Sequence, residues 1–209
     1  MSITQAEHNV SKNQPKPSRT RAGDALLFAR NFFRHPRMLG SIIPSSRFLI
    51  KQLLQPIDWN RARVIVEYGP GVGCITAEIL RRMRSDAILI AIELNPDFVT
   101  HLRSALPDER LKVVAGSAEA VGEILERFGR GKANYIISGI PFSTIPADVR
   151  ERILRNTSTA LAPGGAFLVF QFSTRVLEDL QRIFHYVRRK FEPLNVLPAH
   201  LFFCEVEAA

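Results

Sequence analysis

Cysteine is nearly absent from this chain, with two residues, Cys74 and Cys204, in 209. They lie far apart and offer neither a metal-ligand spacing nor a disulfide framework. Both read as small buried apolar residues of a reduced compartment. No apolar run approaches the roughly 20 residues of a membrane span. The opening MSITQAEHNVSKNQPKPSRTR lacks an apolar core, so no export signal is expected there. Internal repeats are also missing, which excludes a solenoid. What is present is a hydrophobic fraction of 46%, ordinary for one globular domain with one core.

Acidic residues are scarce at one end. Residues 1–51 hold nine Lys/Arg and two acids, a balance of +7, whereas the remainder balances to +1. The N-terminal arm therefore carries the field and seeks a polyanion, either nucleic acid or an anionic membrane. Residues 1–20, with Pro15 and Pro17, read as disordered. A helix is expected from Asp24, with Ala25, Leu26, Phe28, Ala29, Phe32 and Phe33 on one face and Arg30, Asn31 and Arg34 opposite. Pro36 ends or kinks it. A second helix should follow Pro44-Ser45-Ser46 and run to about Gln55.

From Arg63 onward strands and helices alternate. Strands are predicted at Val64–Tyr68, Ile88–Leu94, Leu111–Ala115, Tyr135–Gly139 and Ala166–Phe172. Helices are predicted near Ile75–Arg84, Pro96–Ala105, Val121–Phe128, Ala147–Leu161 and Arg175–Arg189. Near-continuous apolar strands suit a parallel sheet covered on both faces. The chain should end in an antiparallel hairpin of Pro193–Val196 and His200–Val206. The expected fold is therefore α/β, a doubly wound, Rossmann-like seven-stranded sheet with that hairpin.

The first strand runs into Glu67-Tyr68-Gly69-Pro70-Gly71-Val72-Gly73, and the second ends in Glu93-Leu94. Glycine lets the backbone turn tightly and approach a ligand, and helix-start amides receive an anion. A carboxylate one strand away accepts both ribose hydroxyls. A dinucleotide site wants G-x-G-x-x-G, and here Cys74 follows Gly73. With Glu67 placed for an α-ammonium, the pattern fits S-adenosylmethionine (SAM) better, with S-adenosylhomocysteine as product. Gly69, Gly71, Gly73, Glu67 and Glu93 are its candidate ligands. Adenine is expected beside Leu94, Ser117 and Ala118; Ser117 stands where such enzymes often carry Asp, and Glu119 is a possible substitute. The fourth strand ends in Ser138-Gly139-Ile140-Pro141-Phe142, where base N-methylating enzymes carry N-P-P-Y or a close variant. The departure argues against a flipped base and leaves an amine-holding loop with an aromatic wall, Phe142.

These residues resemble the bacterial phospholipid N-methyltransferases, class I SAM-dependent enzymes. The resemblance covers about residues 25–207. It rests on Phe32-Phe33, Gly40-Ser41-Ile42-Ile43-Pro44-Ser45-Ser46, the Glu67–Gly73 and Ser138–Phe142 segments, Leu161-Ala162-Pro163-Gly164-Gly165, Val169-Phe170-Gln171-Phe172-Ser173 and Asn195-Val196-Leu197-Pro198-Ala199. It implies methylation of phosphatidylethanolamine, and in turn its mono- and dimethyl derivatives, towards phosphatidylcholine. It also implies a membrane-binding N-terminal helix, in agreement with the charge reading. Members often follow the Gln-Phe segment with Thr and Tyr; Ser173-Thr174-Arg175 stand here, and Tyr186 is the candidate replacement.

Three parts are expected: a basic tail over 1–20, membrane-binding and lid helices over 21–56, and a methyltransferase domain over 57–209. Ser45 and Ser46 are assigned to the cofactor lid, and Arg34, Arg37 and Arg47 to the lipid phosphate. The carbonyls of Ser138, Gly139 and Ile140 are candidates to accept amine protons, with Tyr68, His35 or His200 as relay. Arg188-Arg189-Lys190 is either a further phosphate site or the cationic end of a helix. No metal is required, because a sulfonium methyl is already electrophilic. A monomer is expected, cytoplasmic and peripheral on the inner membrane face, with residues 21–37 against anionic lipid. Two other readings stand beside this one: an rRNA adenine dimethylase-like enzyme, and a non-catalytic SAM-fold protein.

Overall fold

The computed structural model describes residues 46–195 and 197–207. The expected disordered tail, the amphipathic helix, and Arg34, Arg37 and Ser45 lie outside the described residues. The described chain runs α1 (Arg47–Leu53), β1 (Val64–Tyr68), α2 (Cys74–Arg82), β2 (Ile88–Glu93), α3 (Pro96–Ala105), β3 (Leu111–Ala115), α4 (Val121–Arg127), β4 (Ala133–Ser138), α5 (Ala147–Ala160), β5 (Leu161–Gln171), α6 (Leu177–Ile183), β6 (Tyr186–Glu192) and β7 (Ala199–Glu205). Short 3-10 turns at Ala118–Ala120 and Phe142–Thr144 interrupt the loops after β3 and β4.

All seven strands form one sheet in the order β3-β2-β1-β4-β5-β7-β6. β1 to β5 pair in parallel, and β7 is antiparallel to both β5 and β6. Every residue of β1 and β2 is buried, because helices cover both faces. On one face Val66, Tyr68, Phe142, Phe167 and Phe202 pack with Leu125 of α4, Leu154 of α5 and Leu180 of α6. On the other, Ile65, Leu89, Leu168 and Phe203 meet Leu49 and Leu53 of α1 and Ile79 of α2. The strand order reverses between β1 and β4, and a ligand crevice opens beyond the carboxyl ends of the strands at such a switch point.

Helix starts follow local chemistry. The Ser46 hydroxyl accepts from the Leu49 amide and caps α1. Asn95 caps α3 with Pro96 in its first turn, where the missing amide costs nothing. Because α1 and its C-cap bury Leu49, Leu53 and Leu54 completely, the helix is part of the core that packs on the sheet.

The C-terminal elements differ from expectation. The predicted helix Arg175–Arg189 stops at Ile183, and the strand before β7 is Tyr186–Glu192 rather than Pro193–Val196. Pro193 has no amide to give a ladder and instead follows the strand. Arg188-Arg189-Lys190 thus sits on an edge strand, not at a helix end. An edge strand tolerates such charge. The Arg188 guanidinium lies 4.8 Å over the Phe203 ring, and Lys190 donates to Gln55, just past the end of α1, at 3.0 Å. Among the described residues no helix is long and apolar enough to cross a membrane.

If α1 is integral to the core, Leu53→Ala should cost about 2–5 kcal/mol. Urea unfolding measures this, and a loss below about 0.5 kcal/mol would show a loosely held helix.

Candidate active site

The glycine loop after β1 is shaped by backbone geometry. Gly73 adopts φ 85°, and a Cβ there would stand 2.8 Å from the Leu102 side chain. That crowding brings α2 close against α3. Gly69, at φ 62°, faces Ile140 of the loop after β4, which a Cβ would meet at 3.3 Å. The two loops are also bonded backbone to backbone, as the Gly139 amide donates to the Tyr68 carbonyl at 2.9 Å.

Two carboxylates border this loop. Glu67 is buried, and Thr76 of α2 donates to it at 2.7 Å. Burial pushes its pKa up to about 8; the Thr76 bond opposes the rise and the neighbouring Glu93 adds to it. Glu93 is buried as well, accepting from the Gly71 amide at 3.1 Å and the Asn95 amide at 2.9 Å. Burial raises its pKa too, against the pull of those amides and that of Leu94. Neither carboxylate has a cationic partner among the described residues. Burying a carboxylate without one is costly. A ligand ammonium suits Glu67, and Glu93 keeps lone pairs for hydroxyls beyond the two bonds it accepts. These residues therefore fit SAM.

The adenine side is less open than expected. The Ser117 hydroxyl accepts from the Glu119 amide and caps the short turn, in which Ala118 is buried. Glu119 itself is tied to Arg152 at 2.7 Å through Oε2 and to the Ser117 hydroxyl through Oε1. Leu94, half-buried, lies directly beyond Glu93.

On the acceptor side, Ser138 is buried and its hydroxyl accepts from the Ile140 amide at 3.2 Å. Gln171, at the end of β5, was given no role by the sequence, yet it clamps this loop. Its Oε1 accepts from the Phe142 amide at 3.0 Å, and its Nε2 donates to the Ile140 carbonyl at 2.7 Å. A lone amide at the end of an apolar strand was the available signal. The Ile140 carbonyl is thus already engaged, with one lone pair remaining.

The assignments of Tyr68, Phe142 and Tyr186 need correction. Tyr68 is fully buried, packs against Phe167 and donates its hydroxyl to Thr157, which in turn donates to the Ile153 carbonyl. Burial pushes its pKa upward, so it is core and no proton relay. Phe142 is likewise fully buried, edge-on to Phe167 at 6.3 Å, and presents no aromatic wall. Tyr186 opens β6, paired with Glu205, at the far edge of the sheet from the crevice. Ser46 spends its hydroxyl on the α1 cap and its amide on Asn195 Oδ1 at 2.9 Å, and Arg47 lies over the Phe48 ring at 5.1 Å. His200 pairs with Gln171 across the β5–β7 ladder, and burial, with Arg189 adding, lowers its pKa.

The sequence profile described as Methyltransferase small domain matches residues 40–193. The chain belongs to that family. Ornithine lipid N-methyltransferase of Singulisphaera acidiphila is 34% identical to it over 183 residues, covering 87% of this chain and 95% of that protein. This bears out the resemblance to bacterial lipid N-methyltransferases. Among solved structures, the N-methyltransferase NodS of Bradyrhizobium japonicum, in complex with S-adenosylhomocysteine, superposes with a TM-score of 0.61 at 14% identity, over 75% of this chain and 85% of that one. It supports the class I methyltransferase fold. Ribosomal RNA small subunit methyltransferase A of Thiobacillus denitrificans is 36% identical over 70 residues, which is 34% of this chain and 26% of that protein. This family member is a SAM-dependent methyltransferase.

Because the folded state holds a proton on Glu67 more tightly than the unfolded chain does, stability should fall as pH rises from about 4.5 to about 8. Glu67→Gln carries no charge at any pH and should flatten that slope, so that the variant gains on the parent as pH rises towards about 8. Thermal unfolding of the ligand-free protein against pH tests this; parallel curves would refute it.

Proposed function

We propose that the protein transfers methyl groups from SAM to the amine of a membrane lipid. Likeness along nearly the whole chain to an ornithine lipid N-methyltransferase carries the substrate class. Two head groups offer the primary amine: phosphatidylethanolamine, which the sequence resemblance implies, and ornithine lipid, which that relative's name gives.

Bound SAM supplies an electrophilic methyl on a sulfonium. Glu67 is placed to orient its ammonium and Glu93 its ribose, while the Gly69–Gly73 backbone leaves room for the chain of the ligand. The acceptor nitrogen must expose its lone pair. An alkylammonium of pKa near 10 is neutral about once in a thousand at pH 7, so deprotonation costs roughly 4 kcal/mol. A desolvated crevice lowers that cost by disfavouring the charged amine. Carbonyls of the Ser138–Ile140 loop accept the remaining amine protons and aim the lone pair at the methyl, a gain in orientation rather than in acid–base power. Gln171 is the positioning residue that fixes this loop through both of its amide atoms.

The rRNA reading loses support on geometry as well as coverage. A base-flipping site stacks its target on an exposed aromatic, and the only aromatic of the Ser138–Phe142 loop is fully buried.

Labelled SAM supplied with phosphatidylethanolamine vesicles, ornithine lipid vesicles or RNA discriminates among these. Label in either lipid is expected; label in RNA alone would overturn the proposal. Gln171→Leu leaves the Phe142 amide unpaired, at about 1–3 kcal/mol. It should lower kcat by about tenfold to a hundredfold while the Kd for SAM holds within about threefold. An unchanged kcat would show that the loop needs no clamp.

A further inference from the structure

Large apolar side chains are not scattered over this surface. Six of them are exposed among the described residues: Phe48, Phe172, Tyr186, Phe191, Leu194 and Leu197. Five belong to segments that meet the same edge of the sheet, from both of its faces. Phe172 follows the carboxyl end of β5. Phe191 lies near the end of β6 and contacts His200 at the start of β7, with ring centroids 5.1 Å apart. Leu194 and Leu197 belong to the loop joining those two strands. Phe48 is in the first turn of α1, which the Ser46–Asn195 bond pins to the same loop. Because β7 runs against its neighbours, all these ends fall on the carboxyl edge of the parallel strands, beside Gln171 and the acceptor loop.

We infer that this rim, Phe48, Phe172, Phe191, Leu194 and Leu197, is a second membrane-docking surface that seats the acceptor mouth on an anionic bilayer. The inference rests on the lipid-methylating function proposed above. Its five side chains are 40–62% exposed and come from four places in the chain: α1, the end of β5, β6 and the β6–β7 connection. Protruding aromatic and leucine side chains suit the headgroup–acyl boundary. The cations around them, Arg47, Arg175, Arg189 and Lys190, enter no ion pair among the described residues. Of the acids near them, Glu192 is buried and accepts from the Leu194 amide, and Glu178, exposed in the first turn of α6, offsets only one of the four cations. Charge complementarity therefore selects an anionic surface. It disfavours the chain's own arm, since residues 1–45 carry +5, and it disfavours a second copy of a chain carrying +8. Position agrees: a lipid amine reaches the Ser138–Ile140 loop while its acyl chains stay in the bilayer only if this mouth lies against the membrane.

The single native tryptophan, Trp59, precedes β1 at the opposite edge and serves as an internal control. Leu194→Trp in the full chain should shift its emission to the blue and be quenched by anionic vesicles carrying brominated acyl chains, while the parent protein responds far less. Leu194→Asp combined with Leu197→Asp should raise the vesicle concentration for half-maximal sedimentation about tenfold, with SAM binding retained. Three results would each overturn the inference. One is a new tryptophan untouched by brominated lipid although the protein sediments with vesicles. The second is a tryptophan already blue-shifted without vesicles, which would mean that the chain's own arm covers the rim. The third is a blue shift that grows with protein concentration, which would mean a second copy. Quenching without methyl transfer to any amine lipid would sink the substrate reading and leave the rim standing. Transfer without quenching would do the reverse.

Discussion

Glu67 and Glu93 stand at the ends of adjacent parallel strands, both buried and neither matched by a cation among the described residues. Much of the surrounding structure serves to make that arrangement tolerable. Thr76 reaches back from α2 to one carboxylate, and the amides of Gly71 and Asn95 converge on the other. The glycine loop is thereby tied to the tip of the neighbouring strand, and its left-handed residues are held in place by bonds as well as by steric freedom. The residual cost appears as raised pKa values, a reserve of unfavourable energy that a bound cationic ligand relieves.

The acceptor half of the crevice works differently. It is held by neutral amides and backbone groups, with Gln171 and Asn195 as the clamps. Charge on that side is displaced outward to the rim. This division matches the chemistry. The cofactor brings permanent positive charge and wants carboxylates, whereas the amine must lose its charge before it reacts and is better met by carbonyls in a desolvated setting.

The parallel sheet was legible in the sequence because its strands are unbroken apolar runs: β1 and β3 fall where the pattern puts them, and α3 is bracketed by Asn95-Pro96. The glycine loop and its two glutamates were legible because spacing alone sets them on neighbouring strand tips. What escaped reading was orientation. Tyr68 and Phe142 sit beside the crevice in sequence, but their side chains point into the core on one face of the sheet. The charged Tyr186–Glu192 stretch reads as helix because an edge strand needs only one ladder, and its long cationic stems cover apolar surface that composition does not reveal. Gln171 was hidden for the opposite reason, since its role depends on a loop about thirty residues away in sequence.

The bond between the Ser46 amide and Asn195 joins residues 149 positions apart. The two cofactor carboxylates, by contrast, lie 26 positions apart, although the strand that carries Glu67 still needs β4 beside it. Glu67 and Glu93 therefore leave the ribosome well before the β6–β7 connection that completes the rim. The segments that carry the two buried carboxylates are thus made first, and the loop that Asn195 pins to α1 is made last.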